Sequence, residues 1–222
     1  MDAEPVTGTL AGMGAGGHEV VLHGHDAASG LEAIIAIHST TLGPALGGTR
    51  FFPYPDEATA LTDALRLSEG MTLKAAAAGL DLGGGKAVII GDPRLAGPGL
   101  WAAYGRLVDR LGGAYITAED VGTGVEDMVE VSHQTRWVSG LPTERGGSGD
   151  PSPMTARGVR AAMTATAEHL WGTRDLAGRV IAIQGVGKVG GALARLLADD
   201  GAKLVVADAR EDAAHAAACL LY

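Results

Sequence analysis

The sequence predicts an α/β protein on three observations. Apolar, β-branched runs alternate with segments of helical periodicity, glycines collect at the ends of those runs, and one Gly-x-Gly-x-x-Gly fingerprint lies between a strand pattern and a helix pattern. With 46% hydrophobic and 19% charged residues, 222 residues are enough for one large domain or two smaller ones with buried cores.

Taken in chain order, the first feature is a glycine-rich segment with a Gly-x-Gly-x-x-Gly spacing of its own, at Gly12, Gly14 and Gly17. No strand precedes it, so it is expected to be a flexible leader. Leu31 to His38 reads as a strand. A helix is expected over Asp56 to Leu67: it opens after Pro55 with acids in its first turn, carries Ala58, Leu61 and Leu65 on one stripe, and is expected to stop before Gly70. Ala87 to Ile90 is the next strand. Trp101, Tyr104, Leu107, Val108 and Leu111 recur at helical spacing and are assigned to the core. A strand at Ala114 to Thr117 follows. The Gly, Pro, Ser and Asp content of Gly140 to Met154 marks a crossing between domains, and the boundary is placed between residues 148 and 149. Beyond it a helix (Thr155 to His169), a strand (Val180 to Gln184), a helical stretch ending at Asp200, a strand (Leu204 to Ala207) and a short alanine-rich helix predict a parallel sheet.

Several function classes are excluded by composition. A net charge of -9 without a Lys/Arg cluster opposes a nucleic-acid partner. The single Cys219 rules out an internal disulfide and a multi-cysteine metal site. That lone cysteine fits a reducing cytoplasm, and the acidic N-terminus and the lack of a long apolar run predict a protein that is neither exported nor anchored in a membrane. His23 and His25, the only alternating histidine pair, are read as surface residues, so no metal is expected.

The second fingerprint, Gly185, Gly187 and Gly190, has the strand before it and the helix after it that a dinucleotide site needs. Gly185 permits the tight turn, Gly187 lets backbone approach a pyrophosphate, and Gly190 allows close helix packing, with Lys188 and Val189 inside the turn. Asp208 ends the next strand, at about the spacing of an acid that binds ribose hydroxyls and repels a 2′-phosphate. NAD is the expected cofactor, although Arg210 nearby would suit a phosphate.

Gly83, Gly84 and Gly85 stand directly before Lys86, but Leu80 and Ala87 occupy the positions where a phosphate loop needs Gly and Ser or Thr. The missing side chains are instead expected to make room for a bound molecule beside a desolvated amine. Burial and a second cation, with Lys74 as the expected neighbour, would lower the proton affinity of Lys86 and make it a base. Asp120 falls just past a strand, where α/β folds place ligands. From local sequence alone, Lys74, Lys86 and Asp120 could equally be solvated surface charges.

The segments GPALGGTR (43–50), GMTLKAAAAGLDLGGGKAVIIGDP (70–93), TAEDVGT (117–123), GDPSPMTARGV (149–159) and GVGKVG (185–190) resemble the glutamate/leucine/phenylalanine/valine dehydrogenase family, most closely its leucine, valine and phenylalanine branch. The resemblance implies an N-terminal amino-acid-dehydrogenase substrate domain followed by the first part of a Rossmann NAD-binding domain, flanking a cleft, in a homo-oligomer. It implies that Lys74 binds the substrate α-carboxylate, that Lys86 activates water and that Asp120 handles protons at the substrate nitrogen. Gly47 and Met71 would line the site, with Leu46 and Ala118 shaping an apolar side-chain pocket. Thr155 matches a position near the cofactor, or simply starts a helix. Leucine, valine or isoleucine is the expected substrate, with phenylalanine as the alternative. Leu73 departs from a tyrosine common in this branch. Only 14 residues follow Asp208, too few for the nicotinamide half of a dinucleotide sheet, so the chain is expected to be a truncated product, weak or inactive by itself. A non-catalytic remnant that binds a partner is the competing expectation.

Overall fold

The computed structural model describes residues 8–221, which divide between Gly149 and Asp150 into two compact units. The first contains α1 (Thr9–Gly16), β1 (Val20–Asp26), β2 (Leu31–Ser39), β3 (Ala45–Phe52), α2 (Glu57–Ala77), β4 (Gly83–Ile90), α3 (Pro98–Asp109), β5 (Tyr115–Glu119) and α4 (Val125–Ser132). Its five strands form a mixed sheet in the order β1-β2-β4-β3-β5. β1 and β4 each run antiparallel to β2, whereas β3 runs parallel to both β4 and β5.

Both faces of this sheet are covered, which is why β2 and the second half of β4, Ala87 to Ile90, read as near-continuous apolar runs, while β4 itself begins earlier, at Gly83. On one face Ile35, Ile37, Ala87 and Ile89 pack against Trp101, Tyr104 and Val108 of α3 and Met128 and Val131 of α4. The Trp101 and Tyr104 aromatics are thus core, as expected. On the other face Ile34, Ala36 and Val88 pack against Ala60, Leu61, Ala64 and Leu65 of α2.

Two expectations are corrected here. The glycine-rich N-terminal segment is not a flexible leader over its described part. Residues 9–16 form α1, Gly17 ends it in the left-handed conformation, and the buried His18 ring then bonds the Leu65 carbonyl (3.0 Å) and Ser68 Oγ (3.1 Å) of α2. Second, α2 does not stop before Gly70 but runs 21 residues to Ala77, opened by the Asp56 carboxylate accepting the Thr59 N–H (2.7 Å). A mid-helix glycine costs about 1 kcal/mol relative to alanine. Packing of Ser68 and Ala75 into the interior, together with the alanine run that follows, outweighs it. Two further strands, β1 and β3, carry no clear strand signature in the sequence. β1 is a half-exposed edge strand containing two histidines and a glycine, and β3 contains Gly47 and Gly48, which depress strand propensity.

The second unit contains α5 (Ser152–Trp171), β6 (Val180–Gln184), α6 (Lys188–Asp199), β7 (Lys203–Ala207) and α7 (Glu211–Leu221). β6 and β7 pair in parallel, with Ala167, Ile183, Leu193, Ala194 and Leu197 at the centre of a separate core. Among the described residues no helix is long and apolar enough to cross a membrane.

Candidate active site

Strand alternation on β4 directs Val88, and with it Lys86 and Gly84, to the face that carries α2. Lys86 is 5% exposed, and its Nζ lies 2.5 Å from Oδ2 of Asp120, which follows β5 directly. The same oxygen is 3.3 Å from Arg50 Nε on β3. The other end of the Arg50 guanidinium donates to Asp63 Oδ2 of α2 (2.7 Å), which also accepts the Tyr54 hydroxyl (2.6 Å). Burial lowers the proton affinity of Lys86. Asp120 opposes that effect, Arg50 adds to it, and the net shift is downward. For Asp120 burial works upward, but the Lys86 charge and hydrogen bond, with help from Arg50, hold it below the usual carboxylate range. The second cation acting on the amine is therefore Arg50, where the sequence pointed to Lys74.

A buried hydroxyl cluster supports the floor. Thr49 Oγ1 lies 2.5 Å from Tyr104 OH and 2.6 Å from Thr117 Oγ1, and the Tyr115 hydroxyl donates to the Gly47 carbonyl (2.6 Å). The loop carrying Asp120 is tied down by Thr123, whose Oγ1 accepts the Asp120 N–H (2.8 Å) and donates to the Thr49 carbonyl (2.9 Å).

The role expected for the glycines is also corrected. The volume they leave is filled by the protein's own chain. A Cβ on Gly84 would stand 2.5 Å from the Ser68 carbonyl oxygen and closer still to the Thr72 N–H, so this glycine lets α2 lie directly on β4. On Gly85 it would meet the Tyr115 ring at 2.6 Å, and on Gly83 the Gly43 carbonyl at 2.7 Å. Gly47 is buried against the Gly85 carbonyl, and Gly48 clears the approach of Asp120, whose Cβ would stand 2.8 Å from an added methyl. The glycines place Lys86 and Asp120 by close chain packing rather than by leaving a hole.

Leu46 and Ala118 are half-buried on the same sheet face as Lys86, Leu46 pairing with Ile116 and Gly48 with Ala118 across β3 and β5. On α2, Asp63, Leu67, Met71 and Lys74 recur at i, i+4, i+8 and i+11, so they share one flank. The Asp63 contact with Arg50 identifies that flank as the one turned toward β3. Met71 is half-buried there and Lys74 exposed.

In the second unit Gly185 has φ +90° and donates to the Ala207 carbonyl (2.7 Å), making the turn from β6 to α6. An added Cβ on Gly190 would overlap the Gly185 carbonyl, whereas one on Gly187 meets nothing within 4 Å. No side chain caps α6, whose first turn includes Lys188 and Val189, so the turn presents open backbone and helix-terminal amides to an anion. Asp208 accepts the Arg210 and Val186 N–H groups (2.9 Å each), and those bonds hold its carboxyl ionised below the usual range. A phosphate-bearing dinucleotide with free ribose hydroxyls fits this set of donors and one acid. Thr155 sits in the first turn of α5 and donates its hydroxyl to the Pro151 carbonyl (3.0 Å). Asp150, just before that helix, accepts the Ser152 N–H (2.8 Å), and that bond, with a smaller contribution from Lys188, holds its carboxyl below the usual range.

Two family descriptions match in succession. "Glu/Leu/Phe/Val dehydrogenase, dimerisation domain" covers residues 18–137 and "Glutamate/Leucine/Phenylalanine/Valine dehydrogenase" covers 146–212. The chain belongs to the Glu/Leu/Phe/Val dehydrogenase family. It is 56% identical over 205 residues to valine dehydrogenase of Streptomyces virginiae, covering 92% of this chain and 57% of that protein. Leucine dehydrogenase of Geobacillus stearothermophilus is 55% identical, covering 88% and 53%. The crystal structure of L-tryptophan dehydrogenase from Nostoc punctiforme superposes with a TM-score of 0.67 at 42% identity, covering 94% of this chain and 59% of that one. The chain thus spans about half the length of the curated relatives it matches.

Within this family member, sequence reasoning passes over Arg50, Asp63 and Tyr54. Arg50 lies in the quoted GPALGGTR motif, two residues beyond Gly48, and alternation along β3 would place it on the face of Leu46. The glycines of β3 hide the strand, and that signal is lost with it. The His23 ring, considered for a metal, pairs with Glu57 at 3.1 Å.

Proposed function

We propose that this chain carries amino-acid-binding and dinucleotide-binding parts of an NAD-dependent dehydrogenase that oxidatively deaminates an apolar L-amino acid to its 2-oxo acid and ammonia. The observation that carries this reading is the buried Lys86 amine, lowered in proton affinity and paired with Asp120 on the sheet face that also bears Leu46 and Ala118.

In the mechanism, Lys74 binds the substrate α-carboxylate from the α2 flank, beside Met71, while Gly47 and Gly48 keep the strand floor flat. Gly185, Gly187, Lys188, Val189, Gly190, Asp208 and Thr155 would hold NAD, which when bound would supply the two-electron acceptor for the hydrogen on the substrate Cα. Neutral Lys86 takes a proton from water as its oxygen adds to the imine carbon. Asp120 passes protons to and from the substrate nitrogen, which leaves as ammonia. An apolar Leu46 and Ala118 disfavour a substrate side-chain carboxylate, which would be desolvated there without a partner. Three Streptomyces relatives at 55–56% identity are valine dehydrogenases, which supports a branched-chain substrate ahead of phenylalanine. The dimerisation-domain description of residues 18–137 supports a homo-oligomer.

The test is calorimetric binding of NAD, and of L-valine, L-leucine, L-isoleucine, L-phenylalanine and L-glutamate, to the purified chain, with Lys74→Ala as control. NAD binding, and amino-acid binding strongest for a branched-chain side chain and lost in the control, are expected, with at most weak turnover from a chain that spans about half the length of its relatives. Failure to bind NAD, or amino-acid binding that survives Lys74→Ala, overturns the reading for this chain.

A further inference from the structure

The structure places one charged residue at the centre of the site that the proposed mechanism leaves without a task. Arg50 bridges two carboxylates, donating to Asp63 Oδ2 at 2.7 Å and approaching Asp120 Oδ2 at 3.3 Å, and the latter is the very oxygen that Lys86 Nζ contacts at 2.5 Å. Asp63 is itself clamped by the Tyr54 hydroxyl, so the guanidinium is anchored at one end and applied to Asp120 at the other. Arg50 and Asp63 are each about a quarter exposed, where charge pairs are screened far less than at an open surface.

We propose that Arg50 is a positioning residue: anchored by Asp63 and Tyr54, it fixes the Asp120 carboxylate against Lys86 and sets how tightly that carboxylate holds the amine. This deepens the proposed dehydrogenase reading and rests on it only for the consequence to turnover. One oxygen of Asp120 serves two cations. Whatever negative charge Arg50 draws from Asp120 is withheld from Lys86, and the guanidinium charge also repels a proton on the amine directly. Without Arg50, Asp120 would be free to serve Lys86 alone, and the ammonium would be retained to higher pH.

The charged groups that act on Lys86 are Asp120 just past β5, Arg50 on β3 and Asp63 on α2; the same α2 flank also bears Lys74, Tyr54 precedes that helix, and β2 contributes His38. Arg50 acts to lower the proton affinity of Lys86, and Asp120 and Asp63 act to raise it. Two substitutions therefore carry opposite signs. Arg50→Gln removes a repelling cation and releases Asp120, so the Lys86 midpoint should rise. Asp63→Asn removes an attracting anion, so the midpoint should fall.

The chain has four lysines, Lys74, Lys86, Lys188 and Lys203, so each side-chain resonance can be followed separately by NMR with labelled lysine and assigned by single Lys→Arg replacements. The expected result is a Lys86 midpoint about one pH unit higher in Arg50→Gln, lower than wild type in Asp63→Asn, and partly restored in Arg50→Lys, which keeps the charge but cannot fork between two carboxylates. Equal midpoints in wild type and Arg50→Gln, or shifts of the same sign in both variants, overturn the proposal. If Arg50→Gln fails to fold by circular dichroism, Asp63→Asn and Tyr54→Phe decide: a Lys86 midpoint unchanged in both refutes it. The titration needs no turnover, so failure of the chain to bind NAD or an amino acid would count against the dehydrogenase reading without touching this result.

Discussion

Replacing Gly84 by alanine should destabilise the first unit severely, because the new methyl has no free volume to enter. It would stand 2.5 Å from the Ser68 carbonyl oxygen and closer to the Thr72 amide. These are backbone atoms of consecutive turns of α2 and cannot rotate aside, so the helix must lift from β4. Overpacking costs typically 1–3 kcal/mol, and rigid backbone obstacles put this case near the top, at about 3 kcal/mol. Gly70→Ala is the matched control. Gly70 lies exposed within the same helix, and a methyl added there meets nothing within 4 Å, so alanine should stabilise by about 1 kcal/mol. With a urea dependence of about 2 kcal/mol per M, the midpoint should fall by about 1.5 M in the first variant and rise by about 0.5 M in the second. Tryptophan fluorescence in a Trp171→Phe background reports the first unit alone, through Trp101 and Trp137. An unchanged midpoint in Gly84→Ala would refute the account and return the glycine run to the role of making space for a ligand.

Other outcomes follow from the same geometry. Lys86→Ala should lower the rate of NAD reduction by about a hundredfold or more, the usual contribution of a positioned base, and Lys86→Arg should not rescue it. Lys86 titrates lower in the folded chain than in the unfolded one, so its contribution to stability should rise with pH across the window between those two values and be lost as pH falls through the folded one; urea midpoints of wild type and Lys86→Met compared across alkaline pH measure this. His18 is likewise depressed, by burial first and by the His38 charge, against the Leu65 hydrogen bond. Its contribution is in place above its ordinary value and lost as pH falls through the folded one, so the protection of α1 amides against hydrogen exchange, taken relative to the intrinsic rate at each pH, should fall in mild acid. In the second unit, Gly190→Ala should disrupt the turn by striking the Gly185 carbonyl, whereas Gly187→Ala should preserve the fold and weaken NAD binding measured by calorimetry.

Much of the fold is legible in the sequence because its signals are local. β2, β6 and β7 can be read to within a residue or two from their β-branched content, although only β2 is buried on both faces and β6 and β7 leave one face open, and α3, α5 and α6 by their 3.6-residue period. β1 and β3 cannot. An edge strand with one wet side and a strand whose glycines exist to admit a neighbouring chain carry little intrinsic preference, and only pairing in the sheet makes them strands. Gly70 misleads for a related reason: its local cost is real, but packing elsewhere on α2 overrides it.

The sequence alone determined the chemistry at hand: an amine after three glycines, an acid past a strand, and a glycine turn between strand and helix followed by Asp208. These are covalent facts, and their order along the chain survives any folding. Which charges meet was decided by the tertiary structure. Arg50, Asp63, Lys86 and Asp120 are separated by 13 to 70 positions, and only the pleat of β3 and β4 and the seating of α2 bring them to one face. Electrostatic interaction depends on distance in space, and that distance is set by packing rather than by position in the chain.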